Sequence, residues 1–303
     1  MSYLYGVDGK DLAILRALLI DGRASYKSIG RRVGLSTSTV RSRVLNMLST
    51  GLIARFITSL DLTALGYNLI HIAVKHKGDE DYIMDRLRLL GNILMSVTCV
   101  GDITVFGLAS KGMLKERLDL LPIVLQPHSI LYTSSMDAMP RRLLRNDLRI
   151  IKQLLMKPRA SIKSIASNLN ISERTVKRRL DYMLKNNILH FTVLINPSAM
   201  RGFINFSMII TLNDYNNNLM SRLGSVLDSN LLMPLITVSQ NRLVGVLYSE
   251  SVEHMNELIR RVRSIEGVMN VDFFIAQRVH WMDEWIGKVI DDMLHSKSGC
   301  INN

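Results

Sequence analysis

Two clusters of side chains carry the groups best suited to recognition chemistry: Thr37, Ser38, Arg41 and Ser42, and then Arg174, Lys177 and Arg178. Arginine and lysine can donate to the O6 and N7 of guanine, and a hydroxyl can serve several bases. At these spacings each cluster falls on one face of a helix. Cations of the kind that meet phosphate lie nearby: Arg31, Arg32 and Arg43 beside the first cluster, Lys163 and Arg179 beside the second. By contrast, no phosphate-cradling loop, nucleophile elbow or paired-carboxylate arrangement stands out, so no catalytic residue is assigned. Seven histidines (His71, His76, His128, His190, His254, His280 and His295) lack the i, i+4 pairing of a metal site. Neither a metal nor a cofactor is expected.

Presenting such side chains requires a helix held by its opposite face, and the flanking sequence supplies one. Asp8 can cap a first helix whose Leu12, Leu15, Leu18 and Leu19 share a face, and Gly22 ends it. Ser25 can cap a short second helix with Ile29 and Val33 inward. Gly34 and Leu35 make a tight turn, and Ser36 caps a third helix. There Val40, Val44, Met47 and Leu48 form the buried stripe, leaving Thr37, Ser38, Arg41, Ser42 and Leu45 outward. Gly51 closes this helix, and Ile53 to Leu60 suits a wing strand. The plan is that of a winged helix-turn-helix, whose third helix enters a DNA major groove.

The chain then repeats itself. Sliding it by 136 positions aligns Asp11 with Asp147, and the match runs ungapped for about forty residues, with about two in five identical. Arg23-Ala24-Ser25, Lys27-Ser28-Ile29 and Thr39-Val40 recur as Arg159-Ala160-Ser161, Lys163-Ser164-Ile165 and Thr175-Val176. The second copy has caps at Ser161 and Ser172, a stripe of Val176, Leu180, Met183 and Leu184, and an outward face of Glu173, Arg174, Lys177, Arg178 and Asp181. Charge is segregated. Residues 8–56 hold nine Lys/Arg against three Asp/Glu, and residues 141–192 hold thirteen against three. Since the whole chain is +12, everything else must be net acidic. A solvated surface without an acidic partner has no need of that segregation.

Each block is followed by residues whose periodicity reads βαββαβ. In the first copy these are Gly66 to Val74, Asp81 to Leu90, Ile93 to Val100, Ile103 to Ala109, Met113 to Leu121 and Ser129 to Ser135. In the second they are Gly202 to Leu212, Leu219 to Leu227, Leu231 to Val238, Leu243 to Tyr248, Val252 to Ile265 and Val268 to Ala276. That order describes a ferredoxin-like sandwich, with helices on one face of a four-stranded sheet. The second copy is the natural cover for the open face. The fold class is therefore α+β, two winged helix-turn-helix domains alternating with two ferredoxin-like sandwiches. The expected domains are 1–60, 61–140, 141–196 and 197–280, with a C-terminal helix and tail at 281–303. In that helix Trp285, Ile286, Val289, Ile290 and Met293 form an apolar side that can pack on its own chain or join two chains.

No stretch reaches the roughly 18 apolar residues of a membrane span. Met1 to Leu12 lacks the pattern of a secretory signal. Cys99 and Cys300 form neither a metal spacing nor a disulfide framework, and Cys99 sits in an apolar run that suits a core. A reduced, cytoplasmic protein is the expectation.

The stretch from Val7-Asp8 through Asp21-Gly22-Arg23, Val33-Gly34-Leu35-Ser36, Arg43-Val44 and Gly51-Leu52-Ile53, with Leu60-Asp61 to Leu65-Gly66, resembles the Lrp/AsnC family of prokaryotic regulators. The second copy keeps the skeleton but has Asn170 and Asn187 where the first has Gly34 and Gly51. The resemblance implies sequence-specific binding to double-stranded DNA for transcription regulation. It also implies α/β domains that pair and often sense a small metabolite such as an amino acid. On that reading Gly101 and Asp102 in the first copy, and Gln240, Asn241 and Arg242 in the second, are candidate effector contacts, with a plain hairpin turn as the alternative. Usual members carry one unit and form homodimers, whereas this chain fuses two. Intramolecular pairing would then give an imperfect palindrome with unlike half-sites. Siroheme decarboxylases resemble two such units turned to tetrapyrrole chemistry. They need basic and histidine side chains converging on the α/β domains, and here those parts are net acidic. A DNA-coating protein without sequence preference fits the charge equally well.

Overall fold

The structure, a computed structural model, describes residues 6–239 and 241–296, so Gln240 and Cys300 lie outside the described residues. The first helix-turn-helix comprises α1 (Gly9–Ile20), α2 (Tyr26–Val33) and α3 (Thr37–Ser49), followed by the wing strand β1 (Ile53–Leu60). Asp8 caps α1 by accepting from the Asp11 amide at 2.8 Å, and the Asp11 carboxylate in turn accepts from the Asp8 amide at 3.1 Å. Ser25 and Ser36 cap the next two helices. Gly34 ends α2 at φ 70°, a left-handed conformation in which a Cβ is costly.

The first sandwich follows: β2 (Asn68–Lys75), α4 (Glu80–Arg88), β3 (Asn92–Cys99), β4 (Ile103–Ser110), α5 (Leu114–Val124) and β5 (Ser129–Met136). The second helix-turn-helix is α6 (Arg145–Met156), α7 (Ile162–Leu169) and α8 (Glu173–Lys185), with wing β6 (Leu189–Ile195). Asn170 and Asn187 both adopt φ 54°, so asparagine, the side chain most tolerant of that region, stands where the first copy uses glycine. The second sandwich is β7 (Ile204–Leu212), α9 (Asn217–Leu227), β8 (Ile236–Ser239), β9 (Arg242–Ser249), α10 (Val252–Arg263) and β10 (Val268–Trp281). The final helix is α11 (Glu284–His295).

All strands but the wings join one eight-stranded sheet of order β5-β2-β4-β3-β10-β7-β9-β8. Each half has the antiparallel order expected of βαββαβ. The second half does cover the first: Ala73, Cys99, Ile209 and Phe274, from both copies, share one apolar cluster. The halves also join at an edge, through a strand longer than its sequence pattern suggested. β10 pairs β7 along Val268 to Ile275, then continues along β3 from Ala276 to Trp281. The strand expected from Leu231 is broken and resumes only at Ile236–Ser239: Leu231 bridges to Leu247 and the Leu232 amide donates to the Val246 carbonyl at 2.8 Å, but Pro234 has no amide to donate, and the Leu232 side chain enters the first helix-turn-helix core.

That last contact belongs to a crossed arrangement. The core of the first helix-turn-helix contains Val193, Met200 and Leu232 from the second copy. The core of the second contains Leu60, Leu62, Leu65 and Tyr67 from the first. The wings β1 and β6 pair with each other in antiparallel register, with Ile57 opposite Thr192. Thr192 Oγ1 donates to the Leu19 carbonyl at 2.8 Å, and Thr58 Oγ1 donates to that of Leu154 at 2.7 Å. Arg23 donates to the carbonyls of Pro158 and Ala160 at 2.9 and 2.7 Å, and its counterpart Arg159 donates to Ala24 at 3.3 Å. Each guanidinium also stacks on a wing phenylalanine, Arg23 on Phe191 and Arg159 on Phe56. α11 packs on its own chain. Ile286 and Ile290 enter the core of the second helix-turn-helix, Lys152 pairs with Asp291, and Arg55 of the first wing pairs with Asp283 at 2.8 Å.

Arg23→Ala removes two bonds to carbonyls and one aromatic stack. It should cost about 2 kcal/mol and lower the melting midpoint by about 2–6 °C. The exposed neighbour Lys27→Ala should leave the midpoint unchanged, and thermal unfolding followed by circular dichroism reads both.

Candidate nucleic-acid interface

The stripes Val40, Val44 and Met47 on α3, and Val176, Leu180 and Met183 on α8, are fully buried or nearly so. Each helix is thereby held by one face and turned out on the other. Thr37, Ser38, Arg41 and Ser42 are exposed, as are Arg174, Lys177 and Arg178. Ser38 Oγ lies 2.8 Å from the capping Ser36 Oγ, which keeps it at the helix tip. Arg31, Arg32 and Lys163 are exposed as well. Lys27, the repeat counterpart of Lys163, is equally exposed and belongs beside them. The repeat itself pointed to it.

Arg43 and Arg179 depart from the expected role. Rather than facing a phosphate, the Arg43 guanidinium donates to Asp8 at 2.8 Å and to Asp11 at 2.9 Å. Arg179 grips Asp147 through two bonds of 2.5 Å. Asp11 and Asp147 are fully buried near the start of the first helix of each unit, and an unpaired carboxylate there would be expensive. The hydrogen bonds that Arg179 donates to the Asp147 carboxylate hold its proton more firmly than usual. These arginines tie the recognition helix to the first helix, and the physical reason is the buried acid beneath each.

The candidate effector residues have structural duties. Gly101 and Asp102 both have positive φ, at 86° and 58°, in the three-residue turn from Val100 to Asp102 that joins β3 to β4. The Asp102 carbonyl accepts from the His76 amide at 2.9 Å. Arg242 reaches from the second half-sheet to the first, donating to the Thr133 carbonyl at 2.8 Å and lying over the Tyr132 ring. The carbonyl of Asn241 accepts from the Leu212 amide. A separate cleft of about 470 Å³ opens between α4 and β10, lined by Glu80, Asp81, Arg88, Ser96, Arg278 and His280 among others. Among the described residues no group of three His, Cys, Asp or Glu could hold a metal ion. No described helix is long and apolar enough to cross a membrane. Cys99 is buried, and burial pushes its thiol up to about 12.

Residues 7–48 match the AsnC-type helix-turn-helix domain, and residues 143–189 match the winged helix-turn-helix DNA-binding family. Both helix-turn-helix units of the chain thus match DNA-binding models, the first of them of AsnC type. An uncharacterized HTH-type transcriptional regulator of Pyrococcus horikoshii is 41% identical over 64 residues, which is 21% of this chain and 40% of that protein. The HTH-type transcriptional regulator Ptr1 of Methanocaldococcus jannaschii is 39% identical over 66 residues, 22% of this chain and 45% of that protein. Regulatory protein AsnC of Haemophilus influenzae is 26% identical over 106 residues, 34% of this chain and 71% of its own. The match to the first of these spans less than half of that relative's length. Among solved structures, the siroheme decarboxylase NirDL shares the fold over 95% of this chain and all of its own, with TM-score 0.50 and 12% identity.

Two outcomes separate interior from interface in this chain. Arg179→Ala strands Asp147 and should cost about 3 kcal/mol of stability, whereas Arg178→Ala should leave stability unchanged within about 0.5 kcal/mol. Chemical denaturation of the two variants measures the difference. Cys99 should stay unmodified by iodoacetamide at pH 8 in the folded chain and react on unfolding, as read by peptide mass mapping.

Proposed function

We propose that this chain is a sequence-specific DNA-binding transcription regulator whose two unlike helix-turn-helix units act together as a covalent pseudo-dimer. The carrying observation is the pair of exposed, basic recognition helices held on crossed, mutually clamped supports. In this reading Thr37, Ser38, Arg41 and Ser42 face the bases of one half-site, and Arg174, Lys177 and Arg178 face those of the other. Arg31, Arg32 and Lys163 meet phosphates. The chain works in the cytoplasm, and its α/β halves sense a small metabolite such as an amino acid, with Gly101, Asp102, Asn241 and Arg242 as the first residues to test.

A second reading has one specific support: the fold shared end to end with the siroheme decarboxylase. Its substrate class argues the other way. The α4–β10 cleft is of mixed charge, with Glu80 and Asp81 beside Arg88, Arg278 and His280, and the larger basic excess lies on the helix-turn-helix units instead.

Selection of random duplex DNA by the purified chain, at about physiological salt, decides among these readings. The expected result is enrichment of two unlike half-sites spaced about one helical turn or a multiple apart. Arg41→Ala should weaken one of them and Lys177→Ala the other, each by about tenfold. A strictly symmetric site would imply pairing between chains. If no sequence is enriched the regulator reading fails, leaving a DNA-coating protein where binding persists and an enzyme where it does not.

A further inference from the structure

The two recognition helices share a frame but differ in charge at their first residue. α3 and α8 are both 13 residues long. Each is capped by a serine, Ser36 or Ser172, whose Oγ accepts an amide three residues on at 3.1 Å. Thr37 and Glu173 therefore occupy the same place, at the tip that a major groove receives first. Glu173 is exposed and, among the described residues, makes no ion pair and no side-chain hydrogen bond. Lys177, one turn along the same face, does not pair with it.

An acid there opposes its nearest outward neighbours, and the face's other acid, Asp181, lies two turns further from the tip. Its outward neighbours Arg174, Lys177 and Arg178 suit an anionic partner, whereas a carboxylate is repelled by every phosphate it approaches. The positive end of the helix dipole favours it modestly, but α3 begins with a neutral threonine. The groove contains one kind of group that rewards a carboxylate, the exocyclic amine. Cytosine offers its N4 amine. Adenine offers N6 with the N7 acceptor beside it, while guanine N7 and O6 and thymine O4 are acceptors only.

We propose that Glu173 is a specificity-determining residue that accepts from the N4 amine of a cytosine in one half-site, and rejects guanine and thymine there by setting acceptor against acceptor. The assignment rests on the DNA-binding reading above. It makes the two half-sites unlike in a defined way, because Thr37 imposes no such exclusion on the other.

The test is selection of random duplexes by the full chain in three forms: wild type, Glu173→Gln and Glu173→Ala. The wild type should give a cytosine column in one half-site alone. Glu173→Gln should turn that column to adenine, whose N6 and N7 match a side-chain amide, and Glu173→Ala should flatten it. All other columns should stay as they were. On fixed duplexes, replacing the cytosine by thymine should weaken wild-type binding about tenfold and Glu173→Ala binding by less than about twofold. Equal melting midpoints would show that the exposed substitution leaves the fold intact. A selected site whose columns ignore residue 173 sinks this assignment and leaves the regulator standing. A wild type that selects no site removes both.

Discussion

The structure depends on one contact made twice, the grip of each helix-turn-helix unit on the other through the paired wings. β1 and β6 supply the ladder, and Arg23 and Arg159 reach across to backbone carbonyls on opposite sides of the pseudo-two-fold relation. A two-stranded ladder alone is marginal in water. Here its faces are filled by helices from both units: the Phe191 carbonyl accepts from the Gly22 amide at 2.8 Å, and a Cβ on Gly22 would lie 2.8 Å from the Thr192 backbone. The close approach of α1 to β6 therefore requires glycine at that point. Because the supports are crossed, neither helix-turn-helix can swing away without exposing apolar surface that belongs to the other copy.

Fusion has let the copies diverge where a homodimer could not. β10 serves both half-sheets, pairing with β7 and then with β3, and the chain continues from it into α11. Neither edge strand is extended in this way: β5 stops at Met136 and β8 spans four residues. α11 then buttresses only the second helix-turn-helix, while its Asp283 touches Arg55 of the first wing. The resulting molecule has two similar heads and one asymmetric body. Beyond β10 the chain meets the second head by packing of α11 on α6 and the first through a single ion pair, so the body holds the two heads differently.

Most of the fold was legible because the repeat doubled every signal. Caps at Asp8, Ser25 and Ser36, the 3.6-residue stripes and the left-handed turns are local features, and local features survive into the structure. Asn170 and Asn187, which looked like drift from glycine, keep the same backbone conformation by different chemistry. What escaped was non-local. Nothing in the alternation of Val268 to Ala276 says that the strand will run on to Trp281, because the partner that rewards those extra residues is β3, roughly 180 positions earlier. The seat of Leu232 in the core of the first helix-turn-helix likewise has no local signal.

The misread arginines carry the same lesson at the level of the site. Arg43 and Arg179 recur at equal positions in two basic blocks, and recurrence in a basic block looks like DNA contact. Yet a residue kept in both copies while its neighbours change is better explained by an interior both copies need. Asp11 and Asp147 are that interior. Each is a fully buried carboxylate whose cost is offset by its arginine, so loss of either partner alone is more damaging than loss of a surface charge. The positions that face outward, Thr37 against Glu173 and Ser38 against Arg174, carry no such constraint, and they differ. The duplicated units thus separate their residues by the physics acting on them. Those that hold the helix are the same or, as with Val44 and Leu180, alike in character, and those that can read a sequence are not.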